Sequence, residues 1–240
     1  MEPNELSLTV WGDLAVFTQP ALKVERFSYP VITPSAARGI FEAVYWKPEF
    51  RWQVTRIEVL REIRYIALRR NEVKDKAPGI DTIVQWMAGK AEPMPLLADA
   101  TKDEVGSDTK GRTQRQTMAL KDVRYRLYAK ILPWEGLLGR LPAMRSQFIR
   151  RARAGQCVMQ PCFGCREFPA YFEFTDGEAE PPIEVDLDVG WMLYDVFDLS
   201  RRGSSADRAS ISLFPAVLKS GVLQVPSYDS AAVHKPQGGA

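Results

Sequence analysis

Hydrophobic residues recur along the chain with two periods, one of two residues and one of three to four. Leu6–Thr18 alternates in part and is rich in Val, Leu, Phe and Thr, which predicts a strand or a bent hairpin. Ala36–Trp46 repeats apolar residues at spacings of three and four, and Thr33-Pro34 before it is a helix start. The pattern therefore begins with a strand followed by a helix.

The rest of the chain favours strands, with one further helix. Trp52–Leu60 and Ile63–Val73 predict two strands paired around a short turn, and Arg112–Leu132 predicts a third. Pro142 begins a second helix over Ala143–Ala154. Strand-like segments then return at Ala170–Phe174, Val189–Phe197 and Ala209–Val225.

This order of elements predicts an α+β fold. It matches a ferredoxin-like, RRM-like β-α-β-β-α-β unit, whose sheet is antiparallel and whose helices lie on one face. An insert at about 74–111, which we call the thumb, interrupts the unit and carries a helical turn at Ile80–Met87. We assign residues 1–160 to the ferredoxin-like domain, 161–226 to a C-terminal β-rich extension and 227–240 to a flexible tail.

Positive charge is concentrated in one stretch of the chain and negative charge in another. Residues 110–153 contain 12 Lys and Arg against 2 carboxylates, whereas residues 173–198 contain 9 carboxylates and no Lys or Arg. A basic stretch with Tyr and Trp nearby is typical of proteins that bind a phosphate backbone. The acidic stretch is either a solvated face or a contact for a basic neighbour. His234, the only histidine, lies in the predicted tail, so any chemistry must proceed without a core histidine.

Several classes of protein are disfavoured. The sequence contains no run of about 18 apolar residues, so we expect no membrane span. The acidic N-terminus lacks an apolar core and is not a secretory signal. An odd number of cysteines, 3, fits a reducing cytoplasm. Cys157, Cys162 and Cys165 are three ligands where a structural zinc site needs four, so we expect no metal and no cofactor. Gly164 within this group favours a tight turn, or a close approach of the backbone to a bound nucleic acid.

Five motifs in order along the chain carry a family resemblance: Val10-Trp11-Gly12-Asp13, Ile32–Ile40, Tyr45-Trp46-Lys47-Pro48, Arg69–Val73 and Cys162–Phe168. Together, from about residue 6 to residue 226, they resemble the type I-C (Dvulg) branch of the Cas-five family of CRISPR-associated RAMP proteins. The resemblance implies an endoribonuclease that cuts precursor CRISPR RNA within its repeat hairpin. It also implies that the protein stays on the 5′ handle of the CRISPR RNA and joins the backbone and large subunits of a type I-C surveillance complex.

The cleavage implied by this resemblance is independent of metal. A 2′-OH attacks its own phosphate, which requires a group that removes the proton and cations that stabilise the developing charge. Tyr45 matches the family tyrosine and is a candidate general base or positioning group, with Lys47 and Arg38 as cations that would lower its pKa. The alternative is that Tyr45 and Trp46 cap the helix and pack on the sheet.

The resemblance also implies a second catalytic pair, a Lys followed by His or an aromatic residue, just before the second helix. This chain has Ala143-Met144 there, so Arg145 or Arg140 becomes the candidate cation, and neither is a base near neutral pH. The departure favours a second hypothesis, a non-catalytic RNA-binding and assembly subunit. A third hypothesis is a general duplex-DNA binder, because basic surfaces bind polyanions without specificity.

Further arginines are candidate RNA contacts. Arg124 and Arg126 are two residues apart and share a strand face, where Tyr125 and Tyr128 suit a phosphate track with base stacking. The alternative is a solvated face with salt bridges. The remaining candidates are Arg38, Arg112, Arg115, Arg150 and Arg166.

Overall fold

The structure is a computed structural model that describes residues 4–22, 25–94, 96–97, 100, 104, 106, 111–175, 180–202 and 209–236. The chain forms two compact units, the smaller being Ala67–Thr117 and the larger Met1–Ile66 with Met118–Ala240. In chain order the elements are β1 (Leu6–Ala15), α1 (Pro34–Val44), β2 (Phe50–Val59), β3 (Tyr65–Val73), α2 (Ile80–Met87), β4 (Arg112–Pro133), α3 (Leu141–Arg153), β5 (Tyr171–Phe174), β6 (Leu187–Asp195), β7 (Ser212–Lys219) and β8 (Val222–Gln224).

The larger unit contains the predicted ferredoxin-like sheet. Four strands lie in the order β5-β1-β4-β2, and every neighbouring pair is antiparallel. Helix α1 connects β1 to β2 and helix α3 connects β4 to β5, so each helix crosses over one intervening strand. This arrangement confirms the predicted α+β class and its β-α-β-β-α-β core. The last strand, β5, belongs to this core because it pairs with β1, although it lies beyond the range 1–160 assigned to the ferredoxin-like domain.

Both crossover helices pack on the same face of the sheet. Helix α1 begins where the Thr33 side chain accepts a hydrogen bond from the Ala36 amide (3.2 Å), and its apolar stripe then faces the sheet. The ring of Phe41 lies 4.9 Å from Trp52 of β2 and 5.7 Å from Phe148 of α3. All three rings are fully buried, so Trp52 joins the two helices to the sheet.

The C-terminal strands continue the sheet beyond β2, in the order β8-β7-β6. The sequence pattern merged β7 and β8 into one strand, but Ser220 and Gly221 form a two-residue turn between them. Both residues have positive φ angles, +45° and +74°, which suits the tight turn of a β-hairpin. Alternation of apolar residues continues through this turn, which is why periodicity alone did not detect it.

The prediction that β2 and β3 pair around a short turn is wrong. Strand β2 lies between β4 and β8, and β3 pairs with β4. The connection between β2 and β3 attaches to β4 as well, since the Leu60 amide donates to the Arg124 carbonyl (2.9 Å). Asp122 of β4, at φ +57°, accepts from Arg61 and Arg64, which holds the connection at this bend.

The smaller unit contains most of β3, the first residues of β4 and helix α2. Two hydrogen bonds connect the end of β3 to the start of β4. The Lys74 amide donates to the Gly111 carbonyl (2.9 Å), and the Gly111 amide donates to Asp75 (2.7 Å). The predicted helical turn at Ile80–Met87 is present as α2. No helix in the described part of the chain is long and apolar enough to cross a bilayer.

The segment after Pro226 packs against the larger unit. Tyr228 is buried and its hydroxyl lies 3.2 Å from Asp198, while the backbones of Leu213 and His234 exchange two hydrogen bonds of 2.9 and 2.8 Å. This packing differs from the flexible tail expected over 227–240, because a buried tyrosine and a short bridge to β7 fix residues 228–234. Residues 237–240 lie outside the described part.

Candidate nucleic-acid interface

Tyr45 lies at the joint between α1 and β2. Its amide donates to the Phe41 carbonyl (2.9 Å) as the last bond of the helix, and its extended backbone turns the chain towards the sheet. The Tyr45 carbonyl accepts from the indole nitrogen of Trp52 (2.9 Å), and its ring lies 5.3 Å from that of Phe50. Tyr45 is therefore buried, as the helix-capping alternative requires, and is fixed at a defined place beside α3.

The electrostatics around Tyr45 keep its phenol protonated. Burial raises the pKa of Tyr45 above its ordinary value, and the charge of Glu49 raises it further. Two cations, Arg140 and Arg151, oppose this rise. Arg140 pairs with Glu49, and the Arg151 side chain donates to the Val44 carbonyl at the end of α1 (2.6 Å). The phenol thus keeps its proton near neutral pH and can donate a hydrogen bond, with the charges of two arginines acting on it.

The other candidate catalytic residues are placed differently. Lys47 is exposed in the turn after α1, and Arg145 of α3 donates to the Asn4 carbonyl before β1. Ala143 is exposed and Met144 is buried in the first turn of α3. The cations whose charge acts on the Tyr45 phenol are Arg140 and Arg151 rather than the expected Lys47 and Arg38, because α3 lies directly beside the end of α1.

Arg38 is buried within α1 and its charge is neutralised by carboxylates. Its guanidinium makes a two-pronged contact with Asp195 of β6 (2.7 and 3.1 Å) and pairs with Glu42 one turn further along the helix. Burial opposes the charge, but Asp195 and Glu42 raise the pKa of Arg38 above its usual value. This pairing fixes α1 to β6, and the charge of the guanidinium is compensated by carboxylates.

Arg124 and Arg126 share one face of β4, as their spacing predicted. Arg126 is buried, with its guanidinium 2.6 Å from Glu58 of β2 and 2.5 Å from the Glu180 carbonyl. Arg124 lies 2.9 Å from the Glu180 carboxylate and 3.6 Å from Glu173. Two residues of the acidic stretch therefore meet the basic stretch within the same chain. This face of β4 therefore contains the salt bridges that the alternative interpretation, a solvated face, predicted.

The tyrosines expected to stack bases on this face are covered. Tyr125 points to the opposite face, where it is buried against Phe17 and Phe163. Tyr128 shares the face with Arg126, but the Arg56 guanidinium lies 3.8 Å above its ring. The expectation of an open stacking surface around Tyr125 and Tyr128 is thus corrected: the pleat turns the first ring into the core, and Arg56 covers the second.

The remaining arginine candidates lie on separate surfaces. In the smaller unit, Arg112 is exposed at the start of β4 and Arg115 lies 3.4 Å from Glu72. In the larger unit, Arg150 is exposed on α3, where an open groove is lined by Ser146, Ile149, Arg150, Arg153 and Ala154. Arg166 is exposed in the loop before β5.

Gly164, beside Arg166, makes a close approach to backbone of its own chain. Its φ angle is +82°, and a Cβ atom at this position would lie 1.8 Å from the Val16 carbonyl oxygen. The neighbouring Phe163 carbonyl accepts from the Val16 amide (3.0 Å), which joins this loop to the end of β1. The glycine is thus required for a tight turn, and the close approach considered for RNA is made to Val16.

Sequence analysis missed an aromatic cleft that lies next to Tyr45 along the chain. Trp46 and Pro48 line one side, and Phe197 and Arg201, from the loop after β6, line the other. The sequence offered one signal for this cleft, a tryptophan directly after the candidate catalytic Tyr45. The opposite wall could not be predicted, because it comes from about 150 residues further along the chain.

Comparisons with known proteins agree with this architecture. The sequence model of a family described as "CRISPR-associated protein (Cas_Cas5)" matches residues 5–226. The chain is similar to the CRISPR pre-crRNA endoribonuclease Cas5d of Mannheimia succiniciproducens, at 38% identity over 97% of this chain and 99% of the relative. It is also similar to the CRISPR pre-crRNA endoribonuclease Cas5d of Thermus thermophilus, at 39% identity over 92% of this chain and 91% of the relative.

Solved structures show the same fold at lower identity. A crystal structure of a CRISPR-associated protein superposes with a TM-score of 0.62 and 19% identity, covering 96% of both chains. A functionally uncharacterized protein, SMU1763c from Streptococcus mutans, superposes with a TM-score of 0.59, also at 19% identity and 96% coverage of both. At this identity the likeness describes the fold.

Proposed function

This chain belongs to the Cas5d family of CRISPR-associated proteins, and we propose that it is an endoribonuclease that cuts precursor CRISPR RNA within the repeat hairpin. The two relatives that share its length and about 38% of its residues are both CRISPR pre-crRNA endoribonucleases. The structural observation on which the proposal depends most is the position of Tyr45 at the α1–β2 joint, where its ring packs on Phe50 and the Arg151 side chain donates to the adjoining Val44 carbonyl. The charges of Arg140 and Arg151 act on the phenol, and a hydrogen-bond donor with cations in its surroundings suits a reacting phosphate.

The proposed reaction is a transesterification that needs no metal. The ribose 2′-oxygen attacks the adjacent phosphorus, its proton passes to solvent, and the bond from phosphorus to the 5′-oxygen breaks as that oxygen gains a proton. The products are a 2′,3′-cyclic phosphate and a free 5′-OH. Negative charge develops on the phosphoryl oxygens in the transition state, where nearby arginines and a phenol hydrogen stabilise it.

The sequence suggested two roles for Tyr45, general base and positioning group. We assign it the second. A general base must be deprotonated, and the burial that raises the pKa of Tyr45 disfavours the phenolate at neutral pH. A neutral phenol instead donates a hydrogen bond to a phosphoryl oxygen or to the departing 5′-oxygen. Lys47, which is exposed to solvent, and Arg145, which donates to the Asn4 carbonyl, remain proposed cations for the reaction.

Exposed arginines are the proposed contacts to the RNA backbone. Arg112, Arg150 and Arg166 are exposed. The remaining candidates contact carboxylates, and those contacts must change if they are to meet a phosphate directly: Arg38, Arg115, Arg124 and Arg126. The sequence-independent share of the affinity would come from the exposed group, since phosphate contacts act through charge.

After cutting, we propose that the protein remains on the 5′ handle as a subunit of a type I-C surveillance complex, with the backbone and large subunits as partners. Membership of the Cas5d family supports this role. A protein that retains its product turns over once. We place this activity in the cytoplasm, where the precursor RNA is transcribed.

A non-catalytic subunit that binds the same RNA is the second candidate function. It is favoured on two grounds: the resemblance implies that Ala143-Met144 stands where the family has its catalytic pair, and the raised pKa of Tyr45 disfavours a phenolate base. General binding of duplex nucleic acid, including DNA, is a third candidate, and it predicts no preference for the repeat hairpin.

A cleavage assay separates the three candidates. The purified protein is incubated in EDTA with a labelled type I-C repeat hairpin, and with the same hairpin carrying a 2′-deoxyribose at the cut site. A discrete product that disappears with the deoxy substrate is the expected result. Tight binding without product would favour the non-catalytic subunit, and equal competition by unrelated duplex DNA would favour the general binder.

A further inference from the structure

A cleft of about 350 Å³ opens beside the end of α1 in the larger unit. One wall is the turn after α1 and the start of β2, and the other is the loop that follows β6. Its lining combines aromatic rings with arginines and two carboxylates: Trp46, Phe50, Trp134 and Phe197, with Arg38, Arg51, Arg201 and Arg202, and with Glu42 and Asp198. Glu42 pairs with Arg38. The volume lies within the range of small-ligand sites in proteins.

Two of the rings are open to solvent. Trp46 is 52% exposed and Phe197 is 43% exposed, although both line a concave surface. Large aromatic rings are normally covered, and rings left open in a cleft that also contains arginines are typical of binding sites for flat ligands. A nucleobase is such a ligand, because every base has a face that stacks on an aromatic ring.

The arginines at the floor of the cleft are already fixed in place. The Arg38 guanidinium lies 5.9 Å from the Phe197 ring and is oriented by Asp195. The Arg51 guanidinium lies 5.8 Å from the Trp134 ring and 2.8 Å from Asp229. Because these groups hold their positions through protein contacts, little reorganisation is needed when a ligand enters.

The rim of the cleft has the charge that a phosphate requires. Arg201 and Arg202 are exposed in the loop after β6. Hydrogen bonds from Ser200 lower the pKa of Asp198, which also accepts from the Tyr228 hydroxyl (3.2 Å) and pairs with Arg201 (3.5 Å). The carboxylate is therefore satisfied within the loop, and the guanidinium of Arg202 faces the solvent at the edge of an aromatic floor.

We propose that this cleft binds one unstacked nucleotide of the repeat RNA beside the cut, with its base on Trp46 and Phe197 and its phosphate at Arg201 and Arg202. The inference rests on the proposed function, and it adds a specificity-determining subsite to it. Trp46 follows Tyr45 directly in the chain, so the cleft adjoins the turn after α1 that also carries Lys47.

The chemistry of the cleft distinguishes it from the larger groove on the sheet. That groove, of about 720 Å³, is lined by Glu5, Gln53, Thr55, Arg56, Lys130, Leu132, Gln224, Val225 and Ser227, a set that includes no aromatic ring. A groove of this kind suits a backbone or a polar partner. Of these two cavities, the cleft beside Trp46 is the one that combines exposed aromatic rings with arginines at its rim.

A thermodynamic cycle tests the inference separately from cleavage. The repeat hairpin carries a 2′-deoxyribose at the cut site, so that only binding is measured, and abasic substitutions are placed one at a time at the nucleotides flanking the cut. We expect one abasic position to weaken binding by the parent about tenfold to a hundredfold, the range that loss of one stacked base produces. The same substitution should have little further effect on Trp46→Ala or Phe197→Ala.

Trp191→Ala is the matched control, because Trp191 is also 53% exposed and lies on β6 outside the lining of the cleft. This variant should show the full abasic penalty, and Trp46→Phe should restore it. If every abasic position weakens the parent and Trp46→Ala equally, the cleft does not bind a base, although the proposed function stands. If the parent does not bind the hairpin at all, the proposed function and this inference both fail.

Discussion

Tyr45 keeps its proton at neutral pH because its ring packs on Phe50 and Glu49 lies near its phenol. Replacing it by Phe removes one hydroxyl and leaves the packing intact. We expect Tyr45→Phe to slow single-turnover cleavage about 10²- to 10⁴-fold, the range for loss of a positioned proton donor or acceptor, with hairpin affinity within twofold of the parent.

The pH dependence identifies the role of this hydroxyl. A raised pKa means that the neutral phenol is present throughout pH 6–9, so the ratio of parent to Tyr45→Phe rates should stay constant over that range. A ratio that rises about tenfold per pH unit would show that the phenolate acts as a base. Tyr171→Phe, on the exposed strand β5, is the control and should cut at the parental rate.

Arg126 belongs to the basic stretch, but its burial gives it a structural role instead of an exposed charge. Its guanidinium is buried against Glu58, so Arg126→Ala leaves that carboxylate buried without its partner. We expect the free energy of unfolding to fall by about 3–5 kcal/mol in urea titrations. Arg150→Ala, on the exposed surface of α3, should change it by less than about 0.5 kcal/mol. A stable Arg126→Ala variant with weakened hairpin affinity would instead make Arg126 an RNA contact.

At the scale of elements, the turn at Gly164 fixes the loop before β5 to the end of β1. An alanine there would adopt an unfavourable positive φ and place its Cβ against the Val16 carbonyl. We expect Gly164→Ala to lower the free energy of unfolding by about 3 kcal/mol, measured by chemical denaturation. Gly39→Ala in α1, where no atom lies within 4 Å of the added Cβ, should raise it by about 0.5–1 kcal/mol. Equal effects would contradict the assigned turn.

Strand β6 is joined to β2 and to the segment after β8 through Tyr194. Its hydroxyl accepts from Gln53 (2.7 Å) and donates to the Pro226 carbonyl (2.9 Å), and burial raises its pKa to about 12. A raised pKa gives stability that is complete below pH 10, the value in the unfolded chain, and is lost as the pH rises towards 12. Between pH 9 and 11.5 the parent should lose about 2 kcal/mol more than Tyr194→Phe, measured by urea unfolding. Parallel curves would exclude Tyr194 as the source.

The elements themselves could largely be predicted from the sequence, whereas their pairing could not. The period of three to four residues gave α1, and the cap at Thr33 gave its start, because both signals are local. Strands β2 and β3 are adjacent in the chain and suggested a hairpin. Each pairs instead with β4, whose 22 residues are long enough to accept both. Pairing depends on contacts distant in sequence, which periodicity does not report.

Some residues of the candidate site could be identified from the sequence, whereas their contacts could not. Tyr45 and Lys47 were found through a motif of adjacent residues. The carboxylate that pairs with Arg38 is 157 positions away, and the wall of the aromatic cleft that faces Trp46 comes from the loop after β6. Partners of this kind decide whether an arginine meets RNA or a carboxylate, and only the folded chain brings them together.

At the scale of the whole molecule, the two charged stretches of the sequence partly neutralise each other. Glu173 and Glu180, from the acidic stretch, meet Arg124 from the basic one. The surface left for a polyanion is therefore the set of exposed arginines, not the whole basic stretch. The proposed phosphate contacts, the proposed role of Tyr45 and the proposed nucleotide cleft would together favour recognition of one RNA site over general binding of nucleic acid.

Cleavage by attack of a 2′-OH leaves characteristic chemical ends on the two RNA fragments. Mass spectrometry of the fragments formed in EDTA should show a 2′,3′-cyclic phosphate on the upstream piece and a 5′-OH on the downstream piece. Fragments ending in a 3′-OH and a 5′-phosphate, or an intact hairpin bound to the protein, would show that this chain does not cut by 2′-OH attack.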